Sequence, residues 1–390
     1  MKKELLDLAH QKSIELLLKN STKFGTLASA PQKRAINRNY LSVFARDASI
    51  SSLGMIASQN EKLLKIAKKN IKTLAKYQTK SGQIPNYVKP EIDFVDFWKI
   101  ASIDATLWWL ISIDFYHTNT KDKKLKLTLK NKINLALKWL EAHAHPEDKL
   151  LIQNEASDWA DIFPRSGKVL YTNALWLRVQ KVYKLKSYDL SKTNFNNLFY
   201  PFNNKKNKIA RCQQRSIKEV LKHKKQSDFL LSYVNFMFWG DDLDVYANSL
   251  SIIFQGVNKT LAKQINAFIL KKNKKKSFPI PVLFNPIKKN SKNWRKYMGN
   301  FNQNLPYQYH NGGIWPYASS FFAIALHKSV YKKEAWIELE NIAELNSLKN
   351  WEFNEWFHAK TGKAMGMKKQ SWNAGAYLLA YHILNGDIVL

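Results

Sequence analysis

The feature of this sequence that most constrains its fold is the alternation of two kinds of predicted helix. Hydrophobic periodicity predicts about twelve helices and few strands. Some are apolar nearly all round, as helices in the interior of a large domain are, and these are at 99–116, 315–327 and 372–384. Others are amphipathic and lysine-rich, at 61–77, 130–144 and 333–345. The alternation predicts an inner ring of buried helices inside an outer ring of half-exposed ones. The remaining predicted helices are at 2–19, 42–58, 172–182, 217–223, 246–253 and 261–270.

The predicted helix 99–116 carries an acidic residue, Asp104, near its start. Leu107, Trp108 and Ile111 fall on or beside the face of Asp104, and the opposite face is also apolar. A carboxylate in such surroundings is costly unless it is hydrogen-bonded, paired or kept protonated. On these residues alone, Asp104 is either a functional group or a helix cap. Asp114, at the other end, is expected to be a solvated end residue.

The charge of the chain favours anionic partners, but its distribution does not point to one. The 390 residues include 62 Lys and Arg against 30 Asp and Glu, a formal charge of +32. A strong positive field attracts nucleic acid or anionic lipid. The lysines are nevertheless scattered with asparagines through segments predicted to be solvated, and no nucleic-acid-binding motif is visible. We therefore expect no nucleic-acid partner, and the sequence leaves the oligomeric state open.

The compartment and the domain organisation follow from a few observations. Cys212 is the only cysteine, so a disulfide within one chain is excluded, which suits a reducing compartment. The first twenty residues predict an amphipathic helix and lack the apolar core of a signal peptide. The longest apolar run is too short to span a bilayer. We expect a cytoplasmic protein with one domain, 1–390, and Lys/Asn-rich surface loops near 190–210 and 271–300.

Acidic residues are a minority in this chain, yet they concentrate beside aromatic residues in the loops between predicted helices. Aromatic faces can cover the apolar side of a sugar ring, while carboxylates, amides and arginine hydrogen-bond its hydroxyl groups. For any one loop, tryptophans that cap the core and carboxylates that cap helices are the better explanation. Because the pairing occurs in six loops, it predicts a site for a neutral sugar. The loops span 38–49, 85–99, 154–176, 240–250, 307–320 and 350–362.

Three motifs resemble those of a known enzyme family. They are IDATLWW at 103–109, YHNGGIWP at 309–316, and the C-terminal order Glu355, Gly362–Lys363, Gly366, Gln370–Ser371–Trp372. This pattern is similar to that of the neutral/alkaline invertases. The ARD at 45–47 also resembles the wider amylo-alpha-1,6-glucosidase and glucoamylase-like group. The resemblance runs from about residue 38 to residue 385. The stretch DWADIFPRSGKVLYTNALW differs from the invertases and is closer to glycogen-debranching-type proteins.

The resemblance implies an all-α fold, the (alpha/alpha)6 barrel, and an inverting glycoside hydrolase that uses no cofactor and no metal. The implied substrate is a neutral di- or oligosaccharide with a terminal glucosyl bond. Carried over by motif, Asp104 is the general acid and Glu355 the general base. Burial beside Trp108 would keep Asp104 protonated, whereas the more polar loop of Glu355 would leave that carboxylate ionised.

Further residues are expected to bind the sugar. Arg46 and Asp47 would anchor the non-reducing sugar, and Trp159, Trp315 and Trp356 would stack on it. His310 would either bond a hydroxyl group or brace its loop. The predicted substrate-binding set is completed by Trp108, Asp158, Asp161, Asn311, Gln370 and Trp372.

Two other classes of function are compatible with the same scaffold. A sugar epimerase or isomerase would use histidines as acid and base, and this chain has 9. A non-catalytic barrel that binds carbohydrate or polyanions would exploit the positive charge. Release of a free monosaccharide would separate hydrolase from epimerase, and binding that collapses with salt would indicate a polyanion partner.

Overall fold

The structure is a computed structural model that describes residues 2–98, 102–203, 209–273 and 278–390. Within these ranges most of the ordered structure is helical. The helices are α1 Lys3–Lys19, α2 Lys33–Asn37, α3 Ala45–Ala57, α4 Glu61–Lys76, α5 Ile103–Asn119, α6 Lys124–Thr128, α7 Lys130–Ala142, α8 Leu170–Val182, α9 Tyr188–Phe199, α10 Arg211–His223, α11 Val245–Ile253, α12 Lys259–Asn273, α13 Pro316–Lys328, α14 Lys332–Trp351 and α15 Ser371–Asn385. No helix in the described ranges combines the length and the apolar character that a membrane crossing requires.

Six of the helices form a closed inner ring. Around the ring, α3, α5, α8, α11, α13 and α15 each pack against the next, and α15 packs back against α3. A second helix lies outside each of them: α4 on α3, α7 on α5, α9 on α8, α12 on α11, α14 on α13 and α1 on α15. Six inner helices with six outer partners are the predicted (alpha/alpha)6 barrel, and that prediction is confirmed.

The pattern of the sequence explains which helices lie inside. In α5 every residue from Ile103 to Tyr116 is buried, because neighbours surround this helix on all sides. In α4 the buried residues lie on one face, which includes Leu63, Ile71 and Leu74, and the lysines face outward. Full burial of a large apolar side chain contributes about 1.5–3 kcal/mol. The predicted start of α5 at residue 99 lies outside the described residues.

Short antiparallel strands precede several inner helices and form the rim at one end of the barrel. The strands are β1 Val43–Phe44, β2 Tyr87–Lys89, β3 Phe94–Asp96, β4 Lys168–Val169, β5 Tyr233–Asn235, β6 Phe238–Trp239, β7 Trp356–Phe357 and β8 Ala364–Met365. They pair in the orders β1-β2-β3, β4-β5-β6 and β7-β8. Strand β2 is central in the first sheet, with Val88 opposite Val43 on one side and Val95 on the other. These sheets fix the loops that carry the site.

The prediction of a surface loop near 190–210 is wrong for its first half. Helix α9 runs from Tyr188 to Phe199, and it buries Phe195, Leu198 and Phe199. Its three asparagines and its one lysine hide this apolar face in the sequence. Residues 204–208 lie outside the described residues. In the second predicted loop, 271–300, α12 extends to Asn273, and a 3-10 helix begins at Lys296.

The contact that closes the ring leaves no space for side chains. Gly54 on α3 faces Gly375 on α15. A Cβ atom added at Gly54 would lie 1.9 Å from the Gly375 carbonyl oxygen, and one at Gly375 would lie 2.4 Å from the Cα atom of Ser51. Because the clashing atoms belong to the backbone, only a separation of the two helices could relieve the clash.

We therefore expect Gly54→Val to lower the free energy of unfolding by about 3 kcal/mol. Urea denaturation followed by circular dichroism measures this change. Gly299→Ala is the control, because a Cβ atom there would meet only Trp294, at an ordinary 3.7 Å. The control should change stability by less than about 0.5 kcal/mol. Equal losses in the two variants would contradict the close packing of α3 on α15.

Candidate active site

A cavity of about 390 Å³ opens at the end of the barrel where the inner helices begin. Its size falls in the range of pockets that bind small molecules. Eight of the residues predicted from sequence line it: Arg46, Asp47, Trp159, Asp161, His310, Trp315, Glu355 and Trp372. The N-terminal ends of helices carry a partial positive charge, which favours carboxylates at this end of the barrel.

Glu355 is held in a fixed orientation on one side of the cavity. The Tyr40 hydroxyl donates to Oε1 at 2.6 Å, and the Met367 backbone N–H donates to Oε2 at 2.8 Å. A Cβ atom at position 366 would come within 2.5 Å of Oε2, so Gly366, at φ +73°, is required there. Burial raises the pKa of Glu355, and the two hydrogen bonds oppose that rise. A carboxylate with two donors and cavity access is suited to act as a base.

Asp161 lines the same cavity in a different environment. It is half-buried and lies in the loop between α7 and α8. Burial raises the pKa of Asp161 to about 7; the charge of Arg46 opposes this rise, and the carboxylate of Glu355 adds to it. A carboxyl group with a pKa near the working pH is protonated often enough to donate a proton. Asp161 is therefore suited to donate a proton, and so is Asp47, whose pKa burial raises to the same value.

Asp104 does not line the cavity. The Asp104 side chain is completely buried, and Arg46 Nη1 donates to its two oxygens at 2.9 and 3.0 Å. The hydroxyl groups of Ser102 and Tyr171 also donate to it, at 2.8 and 2.9 Å. All of these groups donate hydrogen bonds to the Asp104 carboxyl oxygens. The sequence predicted an Asp104 kept protonated by apolar neighbours, whereas its described contacts are with an arginine and two hydroxyl groups.

Arg46 and Asp47, in the first turn of α3, connect Asp104 to the cavity. Both residues are buried but line the cavity, with exposed fractions of 7% and 8%. Burial raises the pKa of Asp47 to about 7, the adjacent Arg46 lowers it, and Glu355 raises it further. The Arg46 guanidinium thus compensates a group of carboxyl groups that would otherwise repel one another.

Aromatic rings form much of the cavity wall. His310 stacks on Trp315 with ring centroids 5.4 Å apart and an interplanar angle of 14°. Trp372 stacks on Tyr317 at 3.9 Å, and Trp159 meets Trp315 edge to face. These contacts fix the orientation of the rings. The wall therefore presents rigid apolar faces beside the carboxyl groups.

The environment of His310 disfavours its charged form. Burial and the nearby guanidinium groups of Arg165 and Arg46 hold its pKa well below the usual range. It is the only histidine among the described residues that line the cavity. The epimerase alternative requires histidines as both acid and base, and the described lining does not provide that pair.

Five further predicted binding residues lie outside the cavity lining, and four of them have a side-chain contact within the chain. Asp158 pairs with Arg165, and Trp108 Nε1 donates to the Tyr171 hydroxyl. The Asn311 side chain donates to the backbone carbonyls of Ile287 and Asn304. Trp356 packs against Tyr309, and Gln370 is the fully buried N-cap residue of α15. These residues stabilise the loops without lining the cavity.

The cavity also contains residues that the sequence did not single out as binding residues. They are Ala28, Arg38, Asn39, Tyr40, Phe44, Asn86, Tyr87, Asp96, Trp98, Ile162, Asn300, Gln303 and Tyr309. Asp96, Trp98 and Tyr309 belong to the acidic and aromatic loops, so that pattern could have found them. Asn300 ends the Asn/Lys-rich stretch 271–300 that the sequence presents as solvent-exposed, and Gln303 follows it. The sequence gives no signal for either residue.

Comparison with known proteins gives the family of the chain and relatives of its fold. The model of a family described as amylo-alpha-1,6-glucosidase matches residues 35–378. Over 111 residues the chain is 30% identical to the mitochondrial alkaline/neutral invertase C of Arabidopsis thaliana. That match spans 28% of this chain and only 16% of the invertase.

Two solved structures share the fold at low sequence identity. One is a GH63 mannosylglycerate hydrolase from Thermus thermophilus, solved with Tris and D-glycerate. It is 13% identical with a TM-score of 0.70, over 95% of this chain and 99% of that one. The other is a wild-type glycosidase, 12% identical with a TM-score of 0.62, over 99% of both chains.

Proposed function

Because the chain belongs to the amylo-alpha-1,6-glucosidase family and is a glycoside hydrolase, we propose that it cleaves a terminal glucosyl bond with inversion, using Asp161 as acid and Glu355 as base. The observation that carries this proposal is the contrast between two carboxyl groups on one cavity. Tyr40 and Met367 donate to Glu355, whereas burial gives Asp161 a pKa of about 7. Such contrasting environments are typical of acid and base pairs.

In the proposed reaction Asp161 gives its proton to the glycosidic oxygen as the bond from that oxygen to the anomeric carbon breaks. A water molecule on the opposite face forms a bond to the anomeric carbon, and Glu355 takes a proton from that water. The products are a free sugar with inverted anomeric configuration and the alcohol that was released. Asp161 ends ionised and Glu355 protonated, and exchange with solvent restores both.

The other lining residues have positioning roles in this proposal. Arg46 and Asp47 hydrogen-bond the hydroxyl groups of the terminal sugar, and Trp315 and Trp372 cover its apolar face. Asp104 acts through Arg46, because its paired carboxylate holds the guanidinium in place. Asp104 stays the candidate acid that the family resemblance implies, and its variant therefore belongs in the same experiments. We also propose that 1–390 is a single catalytic domain, which the closed ring supports.

A screen of several glucosides is needed to identify the substrate. Sucrose, maltose, isomaltose, trehalose and a limit dextrin cover the linkages that the resemblance implies. Chromatography of the products identifies the linkage that is cleaved. The family description favours an alpha-1,6 bond in a branched oligosaccharide.

The stereochemistry of the product gives a direct test. An α-glucoside should release β-glucose first, because water attacks the face opposite the leaving group. Proton NMR within the first minutes of the reaction distinguishes the anomers before they equilibrate. Initial release of α-glucose would show retention and would overturn the inverting mechanism.

The pH dependence follows from the two carboxyl groups. Asp161 must be protonated, so kcat/KM should fall as the pH rises through about 7. Glu355 must be ionised, so kcat/KM should also fall as the pH drops below the pKa of that group, which burial raises above the usual glutamate value. A pH–rate profile should therefore be bell-shaped. An aryl glycoside with a good leaving group needs little protonation, and its profile should lack the fall above pH 7. A fall above pH 7 that is unchanged for that substrate would argue against Asp161 as the titrating acid.

A further inference from the structure

A second cavity, of about 600 Å³, lies beside the β5–β6 hairpin. The hairpin forms one wall, the last turns of α10 with Glu219 and His223 form another, and the segment 285–293 forms the third. We call it the hairpin groove. It is larger than the active-site cavity, and none of the functions assigned above uses it.

The hairpin groove contains the same residue classes as the active-site cavity. Tyr233 and Trp239 line it half-buried, and Phe238 also lines it with 65% of its surface exposed. Asp242 and Asn285 supply a carboxylate and an amide beside these rings. Flat apolar faces next to hydrogen-bonding groups match the two sides of a sugar ring. An aromatic side chain that is mostly exposed gains little by packing within the chain, which suits a surface that binds a ligand.

The charged groups that line the hairpin groove carry both signs. Glu219, Asp241 and Asp242 are acidic, and Lys288 and Lys292 are basic. Of these, Asp241 contacts Lys224 at 3.0 Å, and Glu219 contacts His223 at 2.9 Å. Charges of both signs do not create the strong field of one sign that a polyanion or a polycation requires. The lining therefore fits a neutral ligand that offers hydroxyl groups.

One segment of the chain connects the hairpin groove with the active site. Residues 285–293 line the groove, and Asn300 and Gln303, a little further along, line the active-site cavity. Between them the segment is anchored to Glu155. Arg295 donates to Glu155 Oε1 at 2.9 and 3.1 Å, and the Tyr297 hydroxyl donates to Oε2 at 2.9 Å. One segment, anchored at Glu155, therefore contributes residues both to the hairpin groove and to the active-site cavity.

We propose that the hairpin groove binds a distal part of the α-glucan chain whose terminal glucosyl unit occupies the active site. This inference rests on the proposed function and extends it, because it makes the substrate an oligosaccharide long enough to reach both sites. Trp239 and Tyr233 would stack on the rings of the chain, and Asp242 and Asn285 would bond its hydroxyl groups. Short substrates such as maltose would not reach the groove.

The test is calorimetric binding of maltoheptaose and maltose to the full-length Glu355→Gln variant, in which hydrolysis does not interfere. Adding Trp239→Ala should weaken maltoheptaose binding about 3- to 10-fold, since an aromatic contact of this kind contributes about 0.5–1.5 kcal/mol. Maltose affinity should stay the same. Phe238→Ser should have a smaller effect in the same direction, and its exposed position keeps it from disturbing the fold.

The matched control is Trp336→Ala, which removes a partly buried tryptophan from the outer helix α14. It should leave the affinities for both sugars unchanged. Equal maltoheptaose affinity with and without Trp239 would overturn the proposal, as would binding of heparin in place of maltoheptaose. The readout is independent of catalysis. If no glucoside is hydrolysed but Trp239→Ala weakens maltoheptaose binding, the proposed hydrolysis is contradicted. The proposal that the hairpin groove binds a glucan chain is then still supported.

Discussion

Replacing Asp161 by asparagine is expected to lower kcat/KM on a natural disaccharide about 10²–10⁴-fold, the usual contribution of a general acid. Asparagine keeps the shape of the side chain but has no proton to give to the leaving oxygen. Stopped assays on the substrate found in the screen measure the loss. An aryl glycoside with a good leaving group should recover much of the activity, provided the cavity accepts it.

Asp104→Asn separates this assignment from the one that the family resemblance implies. The substitution leaves Arg46 buried without its carboxylate, so thermal unfolding should occur at lower temperature and sugar binding should weaken. The aryl glycoside should not rescue it. Asp114→Asn is the control for activity. Asp114 is buried, contrary to the expectation of a solvated end residue, but it pairs with Lys126 and does not line the cavity. If Asp104→Asn is inactive but rescued, while Asp161→Asn is active, then Asp104 is the acid.

Replacing Glu355 by glutamine is the second large expected effect, again about 10²–10⁴-fold in kcat. Glutamine can still accept from Tyr40, but it cannot take the proton of the attacking water. Because attack by water is required whatever the leaving group, the aryl glycoside should not restore activity. The binding of maltose should change little, since the side chain acts on the water. Initial rates and calorimetry on the same preparation measure both quantities.

A control for Glu355 exists three residues earlier in the same loop. Glu352 pairs with Lys368 and does not line the cavity, so Glu352→Gln should keep the activity of the unmodified protein. Small azide ions can replace the water as nucleophile, so azide should partly restore a Glu355→Ala variant. Full activity of Glu355→Gln would remove this residue from the mechanism.

The fold could be predicted from sequence because the burial of a helix imposes a repeating pattern of apolar residues on its sequence. An inner helix such as α5 must be apolar on all faces, and an outer helix such as α4 on only one. Helix α9 was missed because three buried apolar residues among asparagines do not form a clear periodic face. The short rim strands are also weak signals, since two or three residues do not establish an alternation.

The composition of the site could be predicted more easily than the position of each carboxyl group. Spacing placed Arg46, Asp161 and Glu355 in loops rich in aromatic residues, and all three line one cavity. It could not show that Arg46 reaches Asp104, which lies 58 positions away, and removes it from the cavity. The environment that sets the pKa of Asp161 is likewise made by distant parts of the chain.

The closure of the ring by α15 against α3 has a consequence for the order of events during synthesis. Tyr40 donates a hydrogen bond to Glu355, which lies 315 positions later in the sequence. This part of the pocket therefore combines an early and a late segment of the chain. Neighbouring helix pairs can form while the ribosome is still adding residues, but contacts of such long sequence separation come late. Until α15 is made, α3 keeps an apolar face uncovered. We therefore expect a nascent chain to lack hydrolytic activity, and to be most open to aggregation, until α15 has left the ribosome.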